Sequence, residues 1–275
     1  MGTLAVTGAH GKTGRAVAAA VAPTWSIRAL ARNEEQAQNL RAQGRDVVVG
    51  DIGDRATLAA LVDGVDAVYH ICPNFHPGEA EIGAVLADVT IDIDRLVYHS
   101  VLHPQTEAMP HHWRKLRVEE LLLARRGGRV TFLRPAPYVQ NLAPYVVEAL
   151  AEGELRLPYS VDSTTAMVDL NDVGAAAAIV LSDDVEPGSG WDLCSVGAVS
   201  HRQIAERLAA IASAPIAAVE VAPADGTPPE VKQMFEYMGA HGLPASTGQL
   251  RALIGEPTPL DETLRQLADE AGGDR

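Results

Sequence analysis

The segment 99–115, HSVLHPQTEAMPHHWRK, holds the side chains best suited to proton chemistry. It places His111, His112 and Lys115 within five positions, with Ser100 ahead of them. If the segment after the proline is a helix, each histidine can lie on the same face as the lysine. Neighbouring residues of a helix point in different directions, so only one of the two histidines can face a cleft. Imidazole titrates near neutral pH, and either ring could therefore serve as a general acid.

Two plainer explanations stay open for these residues. Both histidines could simply begin a helix after Pro110, and Lys115 could be a surface residue that pairs with Glu119 one turn further on. A zinc site is disfavoured, because adjacent histidines on a helix do not converge on one ion and no Cys or carboxylate cluster accompanies them. We expect no metal. A serine hydrolase is equally disfavoured, because the sequence contains no G-x-S-x-G elbow.

A glycine-rich loop stands near the start of the chain, in the segment TGAHGKTG over residues 7–14. It follows an apolar run and precedes a run of helix formers, which is the context of a dinucleotide-binding loop. Glycines allow a tight turn and a close approach to a pyrophosphate, and the helix N-terminus offers free N–H groups. The alternative is a glycine-rich turn without a ligand. We expect the phosphates to be held by Gly8, His10, Gly11, Lys12, Thr13 and Gly14.

The second predicted strand ends in ALAR, with Ala31 where an NAD-specific site usually has an acid. Arg32 follows it, and a guanidinium pairs well with a 2′-phosphate, so NADP(H) is favoured over NAD(H). The alternative is a solvated arginine at a strand end. Asp51 and Ile52, just after the third strand, would lie beside the adenine, although Asp51 could be only a turn residue.

Composition excludes several classes of protein. The chain has 275 residues, 47% of them hydrophobic, and a formal net charge of −14. Such a field opposes polyanions, so nucleic acid is not an expected partner. No apolar run is long enough to span a membrane, and the N-terminus does not read as a signal peptide. Cys72 and Cys194 read as buried free thiols, which predicts a cytoplasmic protein.

Strands and helices alternate along the first half of the chain. Predicted strands cover residues 3–8, 26–31, 46–50, 66–72, 95–100 and 129–134. Predicted helices cover residues 14–22, 33–44, 54–64, 79–90 and 111–126, with Asn33 and Asp54 as N-caps. Continuous apolar strands at βαβ spacing predict a doubly wound α/β fold with a parallel sheet.

The rhythm changes after residue 135, where prolines become frequent. A helix over 171–182 and a strand at GWDLCS return to the earlier pattern, and the segment 200–275 reads as mainly helical. We therefore expect a Rossmann core over 1–134, rejoined by 165–195. A small, mainly helical substrate lobe would comprise 135–164 and 196–275.

Several of these segments, in this order, resemble the NmrA-like atypical branch of the short-chain dehydrogenase/reductase superfamily. The resemblance covers nearly the whole chain, and its most specific parts are the HHW-x-K helix and the tail. The segments are AVTGAHGKTGRAVAAAV, IRALAR, VVVGDIGD, RLVYHSVLHP, MPHHWRKLRVEELL, TFLRPAPYVQNL, VDLNDVGAAAA, MFEYMGAHGL and LRALIGEPTPLDETL.

The resemblance implies a Rossmann core, NADP(H) and a lobe that closes over the nicotinamide. The wider superfamily uses a Ser-Tyr-Lys set, in which the tyrosine donates a proton and the lysine holds the nicotinamide ribose. Lys115 fits that lysine, Ser100 lies near the serine position, and His111 stands where the tyrosine would be. Loss of the tyrosine harms ketone reduction most, so quinones and conjugated acceptors are the favoured substrates.

Further residues are expected around the cofactor and substrate, although each apolar one could equally be ordinary core. Beside the cofactor we expect Ile71, Cys72, Pro73, Lys115, Pro135 and Tyr138. The substrate pocket is expected to include Asn74, Phe75, Tyr138, Asn141, Met234, Phe235 and Met238, with His241 as a further polar contact.

Three functions are compatible with these features. The leading one is an NADPH-dependent reductase of a small apolar quinone, conjugated or carbonyl compound. The others are a regulator that senses NADP(H) without turnover and a biosynthetic enzyme that performs a non-redox step. The expected partner is a small molecule, and the expected assembly is a monomer or homodimer.

Overall fold

We describe the protein from a computed structural model that covers residues 1–182, 185 and 187–273. The strands are β1 Gly2–Val6, β2 Trp25–Ala31, β3 Asp46–Val49, β4 Ala67–His70, β5 Arg95–His99, β6 Val130–Pro135, β7 Glu154–Leu157, β8 Thr164–Met167, β9 Gly190–Leu193, β10 Val196–Ser200 and β11 Ala217–Glu220. The helices are α1 Lys12–Val21, α2 Glu34–Ala42, α3 Arg55–Val62, α4 Glu79–Val89, α5 Pro110–Arg126, α6 Ala143–Glu152, α7 Leu170–Val180, α8 His201–Ala212, α9 Pro229–His241, α10 Gly248–Ile254 and α11 Leu260–Gly273.

The central sheet has seven strands in the order β3-β2-β1-β4-β5-β6-β9. The first six strands of this order pair in parallel. The chain passes from one half of the sheet to the other between β3 and β4, so the strand order reverses between the neighbouring strands β1 and β4. Open α/β sheets bind ligands at such a reversal. The predicted doubly wound α/β class is confirmed.

The predicted strands and helices of the first unit are present, and their ends differ from the predicted ones by at most two residues. Asn33 accepts a hydrogen bond from the Gln36 backbone, and Asp54 accepts two from the first turn of α3, so both predicted N-caps are confirmed. The first strand was predicted to reach Gly8, but it ends at Val6. Gly8 has a φ of 65°, a conformation that cannot continue a strand.

The chain divides into two compact units, of which the first comprises Met1–Pro135 and Val173–Asp192. One part of its core lies between the sheet and helices α3, α4 and α5, and α1 also buries apolar residues at Val17, Ala18 and Val21. Helices α4 and α5 approach closely at Gly83, where an added Cβ would come within 2.8 Å of the Val118 side chain.

The second unit comprises Ala136–Asp172 and Leu193–Arg275. Its buried core is supplied mainly by α6, α8 and α11. It also contains two small sheets, β8 with β10 and β7 with β11, which the sequence did not predict. These strands have only four or five residues, too few to show a hydrophobic period.

Among the described residues, no helix has the length and hydropathy needed to cross a lipid bilayer.

Candidate nucleotide-binding and active site

The glycine loop leads from the carboxyl end of β1 into α1. The Gly11 N–H donates to the Gly8 carbonyl at 3.0 Å, which closes the turn. A Cβ at Gly14 would lie 2.3 Å from the Gly8 oxygen, so this position admits only glycine. Within the described ranges, no side chain caps α1, whose N-cap is the exposed Gly11. The bare, tight loop at a helix N-terminus fits the pyrophosphate of a dinucleotide.

The residues expected at the adenosine end follow the neighbouring strands β2 and β3 or begin α1. Arg32 follows β2, and its side chain is exposed and makes no ion pair or hydrogen bond within the described part of the chain. Lys12 is exposed at the first position of α1. Asp51 is exposed after β3 and accepts a hydrogen bond from the Gly53 backbone at 2.7 Å. The arginine is therefore available to an anionic ligand.

Lys115 lies on α5 in a buried ion pair, with 5% of its side chain exposed. Its Nζ donates to Glu79 Oε1 at 2.7 Å, and the Tyr98 hydroxyl donates to the same oxygen at 2.8 Å. The alternative of a surface lysine paired with Glu119 is wrong. Glu119 instead accepts two hydrogen bonds from Arg134, at 2.9 and 2.5 Å.

Both adjacent histidines are buried. The His111 ring lies against Phe75 with centroids 4.4 Å apart, and His112 Nδ1 lies 3.1 Å from the His103 carbonyl oxygen. Burial, reinforced by nearby positive charge, lowers the pKa of His111 to about 3. Burial also lowers the pKa of His112 to about 4. The expectation that these rings titrate near neutral pH is wrong, because burial disfavours the charged imidazolium.

Ser100 directly follows β5, at the carboxyl edge of the sheet. Its backbone N–H donates to Leu133 at 2.8 Å, which fixes its position. Its buried Oγ has no hydrogen-bond partner among the described residues. A buried hydroxyl without a partner is costly, so this oxygen is a candidate contact for a ligand.

Two residues with left-handed backbone flank the histidine pair. Phe75 has a φ of 60° and His103 a φ of 51°. Each contacts one histidine, Phe75 through its ring and His103 through its carbonyl oxygen. Non-glycine residues seldom adopt this conformation, and those that do are concentrated at functional sites.

The remaining expected residues of the first unit follow β4 or end β6. Cys72 is buried, Pro73 and Asn74 are exposed, and Ile71 is half-buried. Pro135 is buried as the last residue of β6.

The second unit holds the other expected pocket residues. Tyr138 forms an isolated bridge to Val168, and Asn141 is exposed. On α9, Met238 is buried, Met234 is half-buried, and Phe235 stacks on Tyr159 with centroids 6.1 Å apart. His241 ends α9 and is exposed.

Sequence reasoning missed Glu79 and Tyr98 as members of the site. Both fall inside predicted elements, but an acid in the first turn of a helix ordinarily indicates only an interaction with the helix dipole. A tyrosine in a strand ordinarily indicates core. Only the packing of α4 against α5 shows that they share a contact with Lys115.

Comparison with known proteins identifies the family. The sequence model of the NmrA-like family matches residues 1–241 of this chain. This chain belongs to the NmrA-like family. The resemblance drawn from its motifs is confirmed.

This NmrA-like protein has curated relatives that are reductases or oxidoreductases. It is 30% identical to (4-alkanoyl-5-oxo-2,5-dihydrofuran-3-yl)methyl phosphate reductase of Streptomyces griseus, over 77% of this chain and 74% of that one. It is 26% identical to an NADPH-dependent quinone oxidoreductase of Escherichia coli solved with NADPH, with a TM-score of 0.84 over 96% of this chain and 99% of that one.

A transcriptional regulator, NmrA, solved with NADP, has the same fold as this NmrA-like protein. The TM-score is 0.83 at 20% identity, over 99% of this chain and 97% of the regulator. That identity shows the fold alone. The curated relatives fix the broader class, and this NmrA-like protein is an NAD(P)H-dependent oxidoreductase.

Proposed function

We propose that this protein reduces a small conjugated or quinone-like carbonyl compound with NADPH. The bound cofactor supplies the hydride, and the protein supplies binding, orientation and a dry pocket. The glycine loop and the N-terminus of α1 would bind the pyrophosphate, and Lys115 would hold the nicotinamide ribose. Ser100 would contact the nicotinamide or the acceptor through its unpartnered Oγ.

The observation that carries the substrate class is that, in the part of the chain that the structure describes, no acidic proton donor stands beside Lys115. His111 and His112 have pKa values lowered by burial to about 3 and about 4, so both are neutral at pH 7. Tyr98, whose hydroxyl is bound to Glu79, has a pKa that burial and that carboxylate raise well above its usual range. None of these groups is suited to protonate an alkoxide during hydride transfer.

An acceptor with a stabilised product anion does not need such a donor. When hydride adds to the β-carbon of an enone, the electron pair of the double bond moves toward the carbonyl and leaves an enolate. That enolate can take its proton from water after the transfer. A quinone behaves similarly, because its reduced oxygen is a phenolate.

The activities of two similar proteins support this choice of substrate class. The Streptomyces relative acts on a dihydrofuranone whose ring double bond is conjugated to two carbonyl groups. The similar Escherichia coli structure is that of a quinone oxidoreductase. Both acceptors give product anions whose charge is spread over carbonyl oxygens. Such anions are stable without a proton from the neutral histidines of this chain.

NADPH is favoured over NADH by Arg32. Its guanidinium is exposed and without a partner in the described residues, at the end of the strand that borders β1. A 2′-phosphate accepts charge-assisted hydrogen bonds from such a group. The buried Ala31 offers no carboxylate to the ribose 2′-hydroxyl of NADH.

The test is NADPH oxidation with a naphthoquinone, a cyclic enone and a saturated cyclic ketone, by wild type and by His111→Phe. We expect turnover of the quinone and the enone, little turnover of the ketone, and little effect of His111→Phe on the first two. Wild-type preference for the ketone, or a loss of 10²-fold or more on the quinone in His111→Phe, would contradict the proposal. Tight NADPH binding without turnover of any acceptor would favour a regulator or a non-redox enzyme.

A further inference from the structure

A buried carboxylate on α4 contacts the lysine of the proposed active site. Glu79 has 1% of its side chain exposed, and it is the only ion-pair partner of Lys115 within the described residues. Tyr98 donates to the same carboxylate oxygen, so Oε1 accepts two hydrogen bonds. We propose that Glu79 is a positioning residue, which supplies the counter-charge of Lys115 and fixes its Nζ at the carboxyl edge of the sheet to receive the nicotinamide end of NADPH.

The arrangement leaves Lys115 with unused donor capacity. An ammonium has three N–H donors, and in the described residues Nζ makes a single hydrogen bond, to Glu79. Its other donors are free to bind oxygen atoms of a ligand. Hydrogen bonds from a charged donor are roughly twice as strong as neutral ones, so the charge of Nζ matters to the ligand.

Stability alone does not account for this ion pair. Apolar residues of similar volume often replace a buried ion pair without loss of stability. The second oxygen, Glu79 Oε2, is buried and has no N–H or O–H partner among the described residues, which adds to the cost; only the Cys72 thiol, a weak donor, lies beside this carboxylate there. A half-satisfied carboxylate beside a lysine is therefore better explained by what it does to the lysine.

The packing of two helices sets the position of the pair. Gly83 lies one turn after Glu79, and its missing side chain allows α4 to approach Val118, three residues after Lys115 on α5. A larger residue at 83 would push the helices apart. Glu79 also stands in the first turn of α4, where the helix dipole favours a carboxylate.

The inference rests on the proposed function, because it assigns Lys115 to NADPH. The first test measures the NADPH dissociation constant of wild type and Glu79→Gln between pH 7 and 9.5, above the second ionisation of phosphate. Glutamine keeps an acceptor but removes the charge. A buried ammonium without a counter-ion releases its proton more readily as the pH rises. We expect binding by Glu79→Gln to weaken by about tenfold across this range, and binding by wild type to stay nearly constant.

The other groups around Lys115 do not titrate in this window. Burial, together with the Glu79 carboxylate, raises the pKa of Cys72 to about 12 and that of Tyr98 well above its usual range. Burial lowers the pKa of each neighbouring histidine to about 3 or about 4. Among the described residues, the charged and titratable groups that face Lys115 are Glu79 from α4, His70 and Cys72 from β4 and its following loop, Tyr98 and His99 from β5, and His111 and His112 from α5.

The matched control is Glu81→Gln, which removes the same charge from the same helical turn at an exposed position. We expect this variant to bind NADPH as wild type does at every pH. A pH profile for Glu79→Gln that matches that of Glu81→Gln would overturn the inference.

A double-variant cycle keeps the inference testable if Glu79→Gln is poorly folded. If Glu79 acts through Lys115, adding Glu79→Gln to Lys115→Met should not weaken NADPH binding further, and removing both charges should restore folding. Additive losses in the double variant would overturn the inference. If Lys115→Met alone leaves NADPH affinity and turnover intact, the proposed assignment of α5 to the active site fails instead.

Discussion

At the scale of single residues, the sequence identified several candidates but not their interactions. Lys115 stood out by its spacing from the histidines, and its partner Glu79 did not, because 36 positions separate them. The histidines were identified as titratable groups, but their pKa values depend on burial, which a sequence does not show. Residue type was therefore predictable, whereas charge state was not.

Arg32 should determine the preference for NADPH. Arg32→Ala removes a charge-assisted contact to the 2′-phosphate, worth about 1.5–3 kcal/mol, and should weaken NADPH binding by roughly 10- to 100-fold. NADH binding should change little. Calorimetry with both nucleotides measures this, and Arg41→Ala, an exposed arginine on α2 paired with Glu34, is the control. Equal affinity of wild type for the two nucleotides would contradict the assignment.

At the scale of elements, the loop between β1 and α1 was predicted well because its signal is local. Glycine spacing, the preceding strand and the following helix all lie within about twenty residues. The pairing of α4 with α5 was not predictable in the same way. It depends on Gly83 facing Val118, a contact between helices that the sequence pattern does not specify.

Substitutions at two glycines of the loop should affect NADPH binding and folding separately. Of the residues that the structure describes, a Cβ at Gly11 would meet only Gly8, at 3.3 Å from its oxygen, so Gly11→Val should fold but should block the approach of the pyrophosphate. A Cβ at Gly14 would lie 2.3 Å from the Gly8 oxygen and 2.6 Å from Ala9 Cα, so Gly14→Ala should lower the thermal midpoint.

Thermal unfolding and NADPH fluorescence enhancement measure these two effects. Gly128→Ala is the control, because an added Cβ there has no neighbour within 4 Å among the residues with a described structure. NADPH binding by Gly11→Val at wild-type strength would show that the loop does not hold the phosphates.

At the scale of the whole molecule, the fold class was predictable because a parallel sheet needs continuous apolar strands joined by helices. The small strands of the second unit were not predictable, since each pairs with a segment distant in sequence. Burial is a further property of the whole fold. It lowers the pKa of His70, His99 and His111 to about 3, and of His112 and His201 to about 4.

These histidines should make the protein sensitive to mild acid. Their folded pKa values lie below the ordinary 6.5, so between pH 6.5 and about 4 the unfolded chain binds protons that the folded protein does not. The free energy of unfolding should therefore fall as the pH drops through this window and should be unaffected by these groups above it. Each histidine contributes up to about 1.4 kcal/mol per pH unit there.

Urea unfolding at pH 7, 6 and 5 measures this loss. His201→Phe should reduce by about one the number of protons taken up on unfolding, and with it the change of unfolding free energy with pH. The substitution keeps an aromatic ring against Tyr159. Equal unfolding free energies at pH 7 and pH 5 in wild type would contradict the prediction.

The central claim is that this protein passes hydride from NADPH to a conjugated acceptor. The most direct measurement uses NADPH labelled with deuterium on one or the other face of C4, with a cyclic enone as acceptor and mass spectrometry of the product. We predict that one of the two labelled forms transfers deuterium to the β-carbon, and that the α-proton comes from water. Tight NADPH binding without transfer of label from either form, to the enone or to any doubly activated furanone, would contradict the account.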